Sequence, residues 1–257
     1  MLFGMPTLIE NNNAEASAAL CRELGLSFVE LNMNMPQYQP EALDGAELLR
    51  LKQAYGIFFT LHLDENLNVS DFNPHVAEAY MRTVAETISL AKEIGAPIIN
   101  MHLAAGVYFT LPTEKRYLFE EYKERYLQSM RDFISLCEEA IGDSGIKICI
   151  ENCDGYHGFQ KEAIALLLSS PVFGLTYDVG HNHGCGGKDE EFILQNKASL
   201  CHMHLHDAIG SKNHLALGTG EMDIEKYIRL AEERSCRVVV EAKTIEALKK
   251  SVSWLNA

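Results

Sequence analysis

Eight short apolar runs alternate with longer stretches of helical periodicity, and this alternation most limits the folds open to the chain. The runs are rich in β-branched and aromatic residues, which favours strands. The predicted strands are residues 2–8, 27–33, 56–63, 97–103, 146–153, 172–179, 200–207 and 236–243. Eight strands interleaved with helices in 257 residues match the number and size of a (β/α)8 TIM barrel. We therefore predict one α/β domain spanning residues 1–257.

Capping residues indicate where the intervening helices begin and end. Asn73 followed by Pro74 is a helix start, and Gly95 is typical of the residue after a helix end. We predict a second long helix from Thr113 to Ile141, with room for one break, a third helix capped by Asp223, and a closing helix over residues 244–256. An open doubly wound sheet is the alternative fold. It would show a glycine-rich turn after the first strand, and MLFGMPTLIENNN has none.

Composition and charge narrow the functional classes. The formal net charge of −14 disfavours a surface that binds nucleic acid, which needs clustered lysine and arginine. The first residues lack the basic flank of a signal peptide, and no apolar run is long enough to cross a bilayer. The 7 cysteines form no CxxC pair, which suits reduced thiols better than a disulfide framework. We expect an acidic cytoplasmic enzyme that does not associate with membranes.

Nearly every predicted strand ends in a residue that can bind a metal or move a proton. In a TIM barrel these strand ends form one rim, where active sites lie. The candidates are Glu30, His62, His102, Glu151, Asp178, His204 and Glu241. Taken singly, each is more typical of a helix cap or a hydrogen-bonded core residue. Because several buried carboxylates are costly unless paired or bound to a cation, the whole set predicts a divalent metal site.

The seventh predicted strand carries three histidines at alternate positions. His202, His204 and His206 alternate with Cys201, Met203 and Leu205. A period of two places the two sets on opposite faces of the strand. We predict that the imidazoles point into the barrel, whereas the Cys, Met and Leu side chains pack against the helices. The alternation alone does not select one histidine as a ligand.

Four ordered motifs resemble those of the xylose-isomerase-like TIM barrels. They are IEN at 150–152, DVGH at 178–181, HLHD at 204–207 with LGTGEMD at 217–223, and VVVEAK at 238–243. That superfamily includes sugar phosphate isomerases and epimerases, ketose 3-epimerases and endonuclease IV. The resemblance extends over essentially the full length of the chain.

The resemblance implies a metal site and a catalytic role for two of its ligands. The implied ligands are Glu151, Asp178, His204 and Glu241. His204 is preferred to His206 because the family ligand lies three residues before an acidic residue, here Asp207. In the isomerase and epimerase branch, Glu151 and Glu241 would also remove and return a carbon-bound proton through an enediolate. The implied substrate is a small sugar, sugar phosphate or related keto-polyol. The implied cofactor is manganese, magnesium or cobalt if the site holds one ion.

Endonuclease IV provides the alternative function, a zinc-dependent phosphodiesterase or AP endonuclease. His62, His102, His181 and His214 match its additional histidines and are candidate substrate-binding residues or ligands of a second metal. Several metals in one site would favour zinc. Two features disfavour the nuclease: Lys212 stands where its pattern has an aspartate, and Glu65 where it has a tyrosine. A non-catalytic ligand-binding barrel is the third hypothesis.

Two further features concern the substrate and the assembly. Gly218 and Gly220 lie in the region where barrels often bind phosphate, although an ordinary loop is the simpler interpretation. Lys212 and Lys243 are candidate partners of an anionic substrate, and each is equally typical of a surface lysine. Relatives are often dimers or tetramers, so a homo-oligomer is compatible with the resemblance. No segment singles out an interface.

Overall fold

A computed structural model of the protein describes residues 1–257 and contains a closed barrel of eight parallel strands. We number the barrel strands in chain order as β1 (Leu2–Pro6), β2 (Phe28–Asn32), β3 (Phe58–His62), β4 (Ile98–His102), β5 (Lys147–Glu151), β6 (Phe173–Asp178), β7 (Leu200–Leu205) and β8 (Arg237–Val240). Each strand pairs with the next one along the chain, and β8 pairs with β1 to close the barrel. The predicted (β/α)8 barrel is confirmed.

Ten helices and two small hairpins complete the fold. The helices are α1 (Ala14–Glu23), α2 (Gly45–Tyr55), α3 (Pro74–Ile94), α4 (Leu118–Glu121), α5 (Lys123–Ile141), α6 (Gly158–Leu167), α7 (Val179–Gly184), α8 (Glu190–Gln195), α9 (Ile224–Arg234) and α10 (Ile245–Leu255). One hairpin pairs Tyr108–Thr110 with Lys115–Tyr117, and the other pairs Asp207–Ile209 with Lys212–Leu215. None of the helices combines the length and apolar character that spanning a bilayer requires.

The capping signals correctly located α3 and α9. The Asn73 side chain accepts a hydrogen bond from the His75 amide, and Gly95 ends α3 in the left-handed region at φ 65°. Asp223 caps α9 in the same way through the Lys226 amide. The apolar residues of these helices pack onto the outer face of the barrel, so that the main hydrophobic core lies between strands and helices.

The predicted helix from Thr113 to Ile141 is partly wrong. Residues 115–117 pair antiparallel with residues 108–110, and helical structure starts only at Leu118. The break lies at Tyr122, between α4 and α5. The hairpin forms because Lys115–Tyr117 gains ladder hydrogen bonds and the Tyr108 and Tyr117 rings pack with centroids 5.3 Å apart.

The predicted outward orientation of Cys201 is also wrong. Met203 and Leu205 pack in the outer core as expected, but the Cys201 Sγ lies 3.2 Å from the Cys149 Sγ. The register between β6 and β7 shifts next to this position, so that Leu175 pairs with Leu200 and Thr176 with His202. Such a bulge breaks the strict alternation of side chains. A Cβ at Gly174 would come within 2.6 Å of the Cys201 Sγ, so the absent side chain leaves room for the thiol.

Candidate metal centre and active site

The four implied ligands converge at the carboxyl ends of β5 to β8. One ligand atom from each of Glu151, Asp178, His204 and Glu241 lies within 4.8 Å of the others. The His204 Nδ1 is 3.1 Å from a Glu151 oxygen, 3.0 Å from a Glu241 oxygen and 3.8 Å from an Asp178 oxygen. Glu241 immediately follows β8, and its amide donates to the Leu205 carbonyl at 3.0 Å. Residues distant in sequence thus face one point on the rim.

Glu30 orients the ring of His204. The His204 Nε2 donates to the Glu30 Oε1 at 2.8 Å, which directs Nδ1 toward the three carboxylates. The same carboxylate accepts from the His202 Nε2 at 2.8 Å and from the Thr60 hydroxyl at 3.0 Å. Burial opposes the ionisation of Glu30, but the charges and hydrogen bonds of the two histidines outweigh it and lower the pKa of this carboxyl. Glu30 therefore acts as an anionic support for His204.

Asp178 is held by contacts that occupy its Oδ1. This oxygen accepts from the His181 amide at 2.6 Å and from the His206 Nε2 at 3.0 Å. The His206 Nδ1 in turn accepts from the backbone amide of His214 at 2.8 Å, and the His214 backbone is in the left-handed region at φ 55°. Because Nδ1 is an acceptor, the hydrogen-bond network assigns the ring proton to Nε2. His206 therefore braces Asp178, and its Nε2 also lies 3.2 Å from the Asp178 Oδ2, the oxygen that faces the His204 Nδ1 at 3.8 Å.

Glu151 has a different environment at each oxygen. Its Oε1 faces His204, whereas its Oε2 lies 3.2 Å from the His62 Nε2 and 3.3 Å from the His102 Nε2. The amide of Asn100 also donates to Oε2. Burial opposes the ionisation of Glu151, but the charges of His204 and His102 hold the pKa of this carboxyl well below its usual range. Glu151 is thus an ionised base at neutral pH.

Apart from His204, Glu241 contacts a different set of side chains from Glu151. Its Oε1 accepts from the Lys243 Nζ at 2.8 Å and lies 3.3 Å from the His214 Nε2. The His181 Nε2 lies 4.0 Å from the Asp178 Oδ2, and its ring is 5.3 Å from that of His214, so these two predicted residues also lie beside the centre. Lys212 is exposed on the hairpin that carries His214. The structure therefore brings all eight predicted site residues to one rim, with His62 and His102 beside Glu151, and with His214 beside Glu241.

The cluster fits a divalent cation on chemical grounds. The His204 Nδ1 and the Glu241 Oε2 are buried without a well-formed hydrogen bond, although they lie 3.0 Å apart. Three carboxylates and one imidazole are a common donor set for manganese, magnesium or zinc. A carboxylate behind the ligating histidine, as Glu30 is here, is a frequent feature of protein metal sites. These four residues are therefore the ones that would hold an ion.

A cavity of about 250 Å³ opens next to Glu151. It lies between the loops that follow β4 and β5, and its walls include His102, Tyr117 and Tyr156. The Tyr156 hydroxyl is buried and has no hydrogen-bond partner. This cavity has room for a small polar molecule in contact with the cluster.

Two supporting residues were not among the predicted site residues. Asn100 accepts from the Thr176 hydroxyl at 2.5 Å and donates to Glu151, and His202 donates to Glu30. The sequence indicated the position of both residues, because Asn100 precedes His102 by two residues and His202 precedes His204 by two. The period of two that placed His102 and His204 on the inner face also places these residues there.

The closed barrel with a carboxylate and imidazole cluster at its rim defines the class of fold, and comparison with known proteins defines the family. The chain matches the Xylose isomerase-like TIM barrel family model over residues 18–257 and belongs to that family. It is 26% identical to an uncharacterized protein of Methanocaldococcus jannaschii over 218 residues, which cover 81% of this chain and 75% of that protein.

Solved structures share the fold over the whole chain. A D-tagatose 3-epimerase-like protein is 22% identical, with a TM-score of 0.80, and the match covers 100% of this chain and 96% of that one. The 3-keto-D-glucoside 4-epimerase of E. coli is 15% identical, with a TM-score of 0.77 and coverage of 100% and 99%. The IolI protein, solved with a bound zinc atom, is 16% identical, with a TM-score of 0.75 and coverage of 98% and 96%. At these identities the likeness establishes the fold.

Proposed function

We propose that the protein is a metal-dependent isomerase or epimerase that acts on a small sugar or a related keto-polyol. The observation that carries the proposal is the convergence of Glu151, Asp178, His204 and Glu241 on one point, with ligand atoms within 4.8 Å of one another. Two glutamates in that set match the chemistry of carbon-bound proton transfer. The epimerases among the proteins of the same fold support this choice over other reactions.

The two glutamates take the role of proton-transfer groups. When bound, a divalent cation would polarise the substrate carbonyl and stabilise the enediolate that forms on proton loss. The Glu151 carboxylate lines the cavity and is ionised, so it can accept a proton from the carbon next to a carbonyl. Burial opposes the ionisation of Glu241, but His204, His214 and Lys243 lower its pKa as well. In an epimerisation Glu241 would act on the opposite face of the same carbon: Glu151 removes the proton, Glu241 takes a proton from solvent and delivers it to that face, and the two roles exchange in the reverse direction.

Solvent deuterium incorporation tests the proposal. The metal-loaded protein is incubated in D2O with ketopentoses and ketohexoses, and NMR follows deuterium at the carbons next to the carbonyl. We expect exchange with at least one ketose, and loss of exchange in Glu151→Gln. Glu139→Gln is the matched control, because Glu139 is exposed near the end of α5, outside the cluster and the cavity. Absence of exchange across the panel in protein shown to bind the metal would contradict the proposal. Tight ketose binding without exchange would support the ligand-binding barrel instead.

A zinc-dependent phosphodiesterase is the second candidate, and one observation favours it. His62 and His102 both direct Nε2 at the Glu151 Oε2, so these three residues would be the ones to hold a second cation. The His62 Nδ1 lies 2.8 Å from the Leu63 carbonyl, so Nδ1 would keep its proton and Nε2 would be the nitrogen available to an ion. Two or more zinc ions per chain, together with cleavage of an abasic oligonucleotide, would favour this function. One ion per chain and no cleavage would remove it.

A further inference from the structure

We propose that the substrate is an unphosphorylated polyhydroxy compound, and that a phosphate ester is rejected at this site. This inference rests on the proposed isomerase or epimerase function and narrows its substrate class. It depends on two features of the rim: a loop whose amides are already occupied, and a cavity lined by carboxylates.

The loop after β7, where barrels often bind phosphate, is occupied by a side chain of the protein itself. The buried carboxylate of Asp207 accepts from the Gly220 amide at 2.8 Å, from the Met222 amide at 3.2 Å and from its neighbour Ala208 at 2.9 Å. Backbone amides of this kind are the groups that bind phosphate oxygens. Since the Asp207 carboxylate already uses the amides of Gly220 and Met222, these amides are not available to a phosphate group.

The cavity next to Glu151 has a negative lining. Glu65 and Asp154 border it together with Glu151, and none of its lining residues is a lysine or an arginine. A cation held by the cluster would offset the charge of Glu151, but a phosphate dianion in the cavity would still meet the carboxylates of Glu65 and Asp154, and like charges disfavour binding. Neutral hydroxyl groups carry no such cost, and carboxylates readily accept hydrogen bonds from them.

The nearby lysines do not compensate for this charge. Lys243 donates to Glu241, so its charge is already paired within the cluster. The side chain of Lys188 lies close to Gly155, which lines the cavity: a Cβ on that glycine would come within 3.1 Å of the lysine side chain. Lys188 itself does not line the cavity. Lys212 is exposed on the hairpin.

The test compares free ketoses with the same ketoses phosphorylated at the terminal carbon, using deuterium exchange in D2O to obtain kcat/KM for each. We expect exchange with a free ketose and a value for its phosphate ester that is lower by at least about tenfold. Asp154→Asn and Glu65→Gln should each narrow this preference, because each removes one repulsive charge. Glu139→Gln, which removes a carboxylate outside the cavity, should leave the preference unchanged.

The outcomes separate this inference from the proposed function. Exchange that is faster with a phosphate ester would overturn the inference and uphold the isomerase or epimerase activity. If that preference were lost in Lys188→Ala, the phosphate would be assigned to Lys188. A preference for the free ketose that neither Asp154→Asn nor Glu65→Gln alters would refute the electrostatic argument. No exchange with either class would instead contradict the proposed function.

Discussion

Replacing Glu30 with glutamine tests how the second barrel strand supports the proposed metal centre. The carboxylate accepts from His204 and His202, each at 2.8 Å, and from Thr60 at 3.0 Å. Glutamine has nearly the same shape, but only one of its two terminal atoms accepts a hydrogen bond, and it has no charge. It can keep its oxygen on the His204 Nε2 while its NH2 group faces His202, whose buried Nδ1 has no partner and is free to take the ring proton.

The expected loss of metal affinity follows from the contacts that Glu30→Gln keeps and from the charge that it loses. His204 keeps its orientation but loses the anion that makes its Nδ1 a stronger donor to a metal. Changes of this kind behind a ligating histidine typically reduce metal affinity by about 10- to 100-fold. This range corresponds to about 1.4 to 2.8 kcal/mol of binding free energy. We therefore expect Glu30→Gln to fold and to bind manganese and zinc more weakly by that factor.

The assay is competition with a fluorescent chelator for each metal at neutral pH. Urea unfolding in the presence of a strong chelator checks separately that the fold is retained. Thr60→Val is the matched control, because it removes one hydrogen bond to Glu30 and leaves both imidazole contacts in place. Wild-type affinity in a folded Glu30→Gln variant, or an equal loss in Thr60→Val, would refute the assigned role of the Glu30 charge.

Three further predictions concern other parts of the barrel. Glu151→Gln and Glu241→Gln should each lower kcat for deuterium exchange by about 10²- to 10⁴-fold, because an amide cannot accept the substrate proton, and unchanged rates in either would exclude that residue as a base. Asp207→Asn should lower the free energy of unfolding by about 1–3 kcal/mol in urea titrations, because an amide cannot accept all three backbone N–H groups, and a wild-type midpoint would show that the loop does not depend on the carboxylate. Gly174→Ala should cost about 1–3 kcal/mol through overpacking, because its Cβ would lie 2.6 Å from the Cys201 Sγ. Adding Cys201→Ala should restore part of that loss, and a strictly additive double variant would contradict the contact.

The sequence was sufficient to predict the barrel and the residues at its rim because both depend on local periodicity. Strand ends such as Glu151 and Asp178 are recognisable from the apolar residues before them, and the closed topology brings them together without any long-range information. The positions of Asn100 and His202 follow from the same period. Assigning His204 and not His206 to the centre needed the family resemblance. The structure adds the physical distinction, because the His206 Nδ1 is already engaged by the His214 amide.

Features that depend on tertiary packing could not be read from periodicity. The bulge that turns Cys201 inward depends on a register shift against β6 and on the space left by Gly174, and neither affects the alternation in the β7 sequence. Residues 115–117 continue the pattern of a helix, but they form ladder hydrogen bonds with Tyr108–Thr110 across a short turn. The filling of the β7 loop by Asp207 likewise depends on contacts across more than ten residues.

The backbone of the hairpin that carries His214 influences the position and hydrogen bonding of Asp178 through His206. The His214 backbone amide determines which ring nitrogen of His206 holds the proton, and that proton in turn fixes Asp178. A substitution or a change of length in this hairpin would thus alter the donor strength and tilt of the Asp178 carboxylate without replacing any of the four proposed metal ligands. Variation among relatives at this hairpin is therefore a route by which metal preference can diverge while the inner residues stay the same.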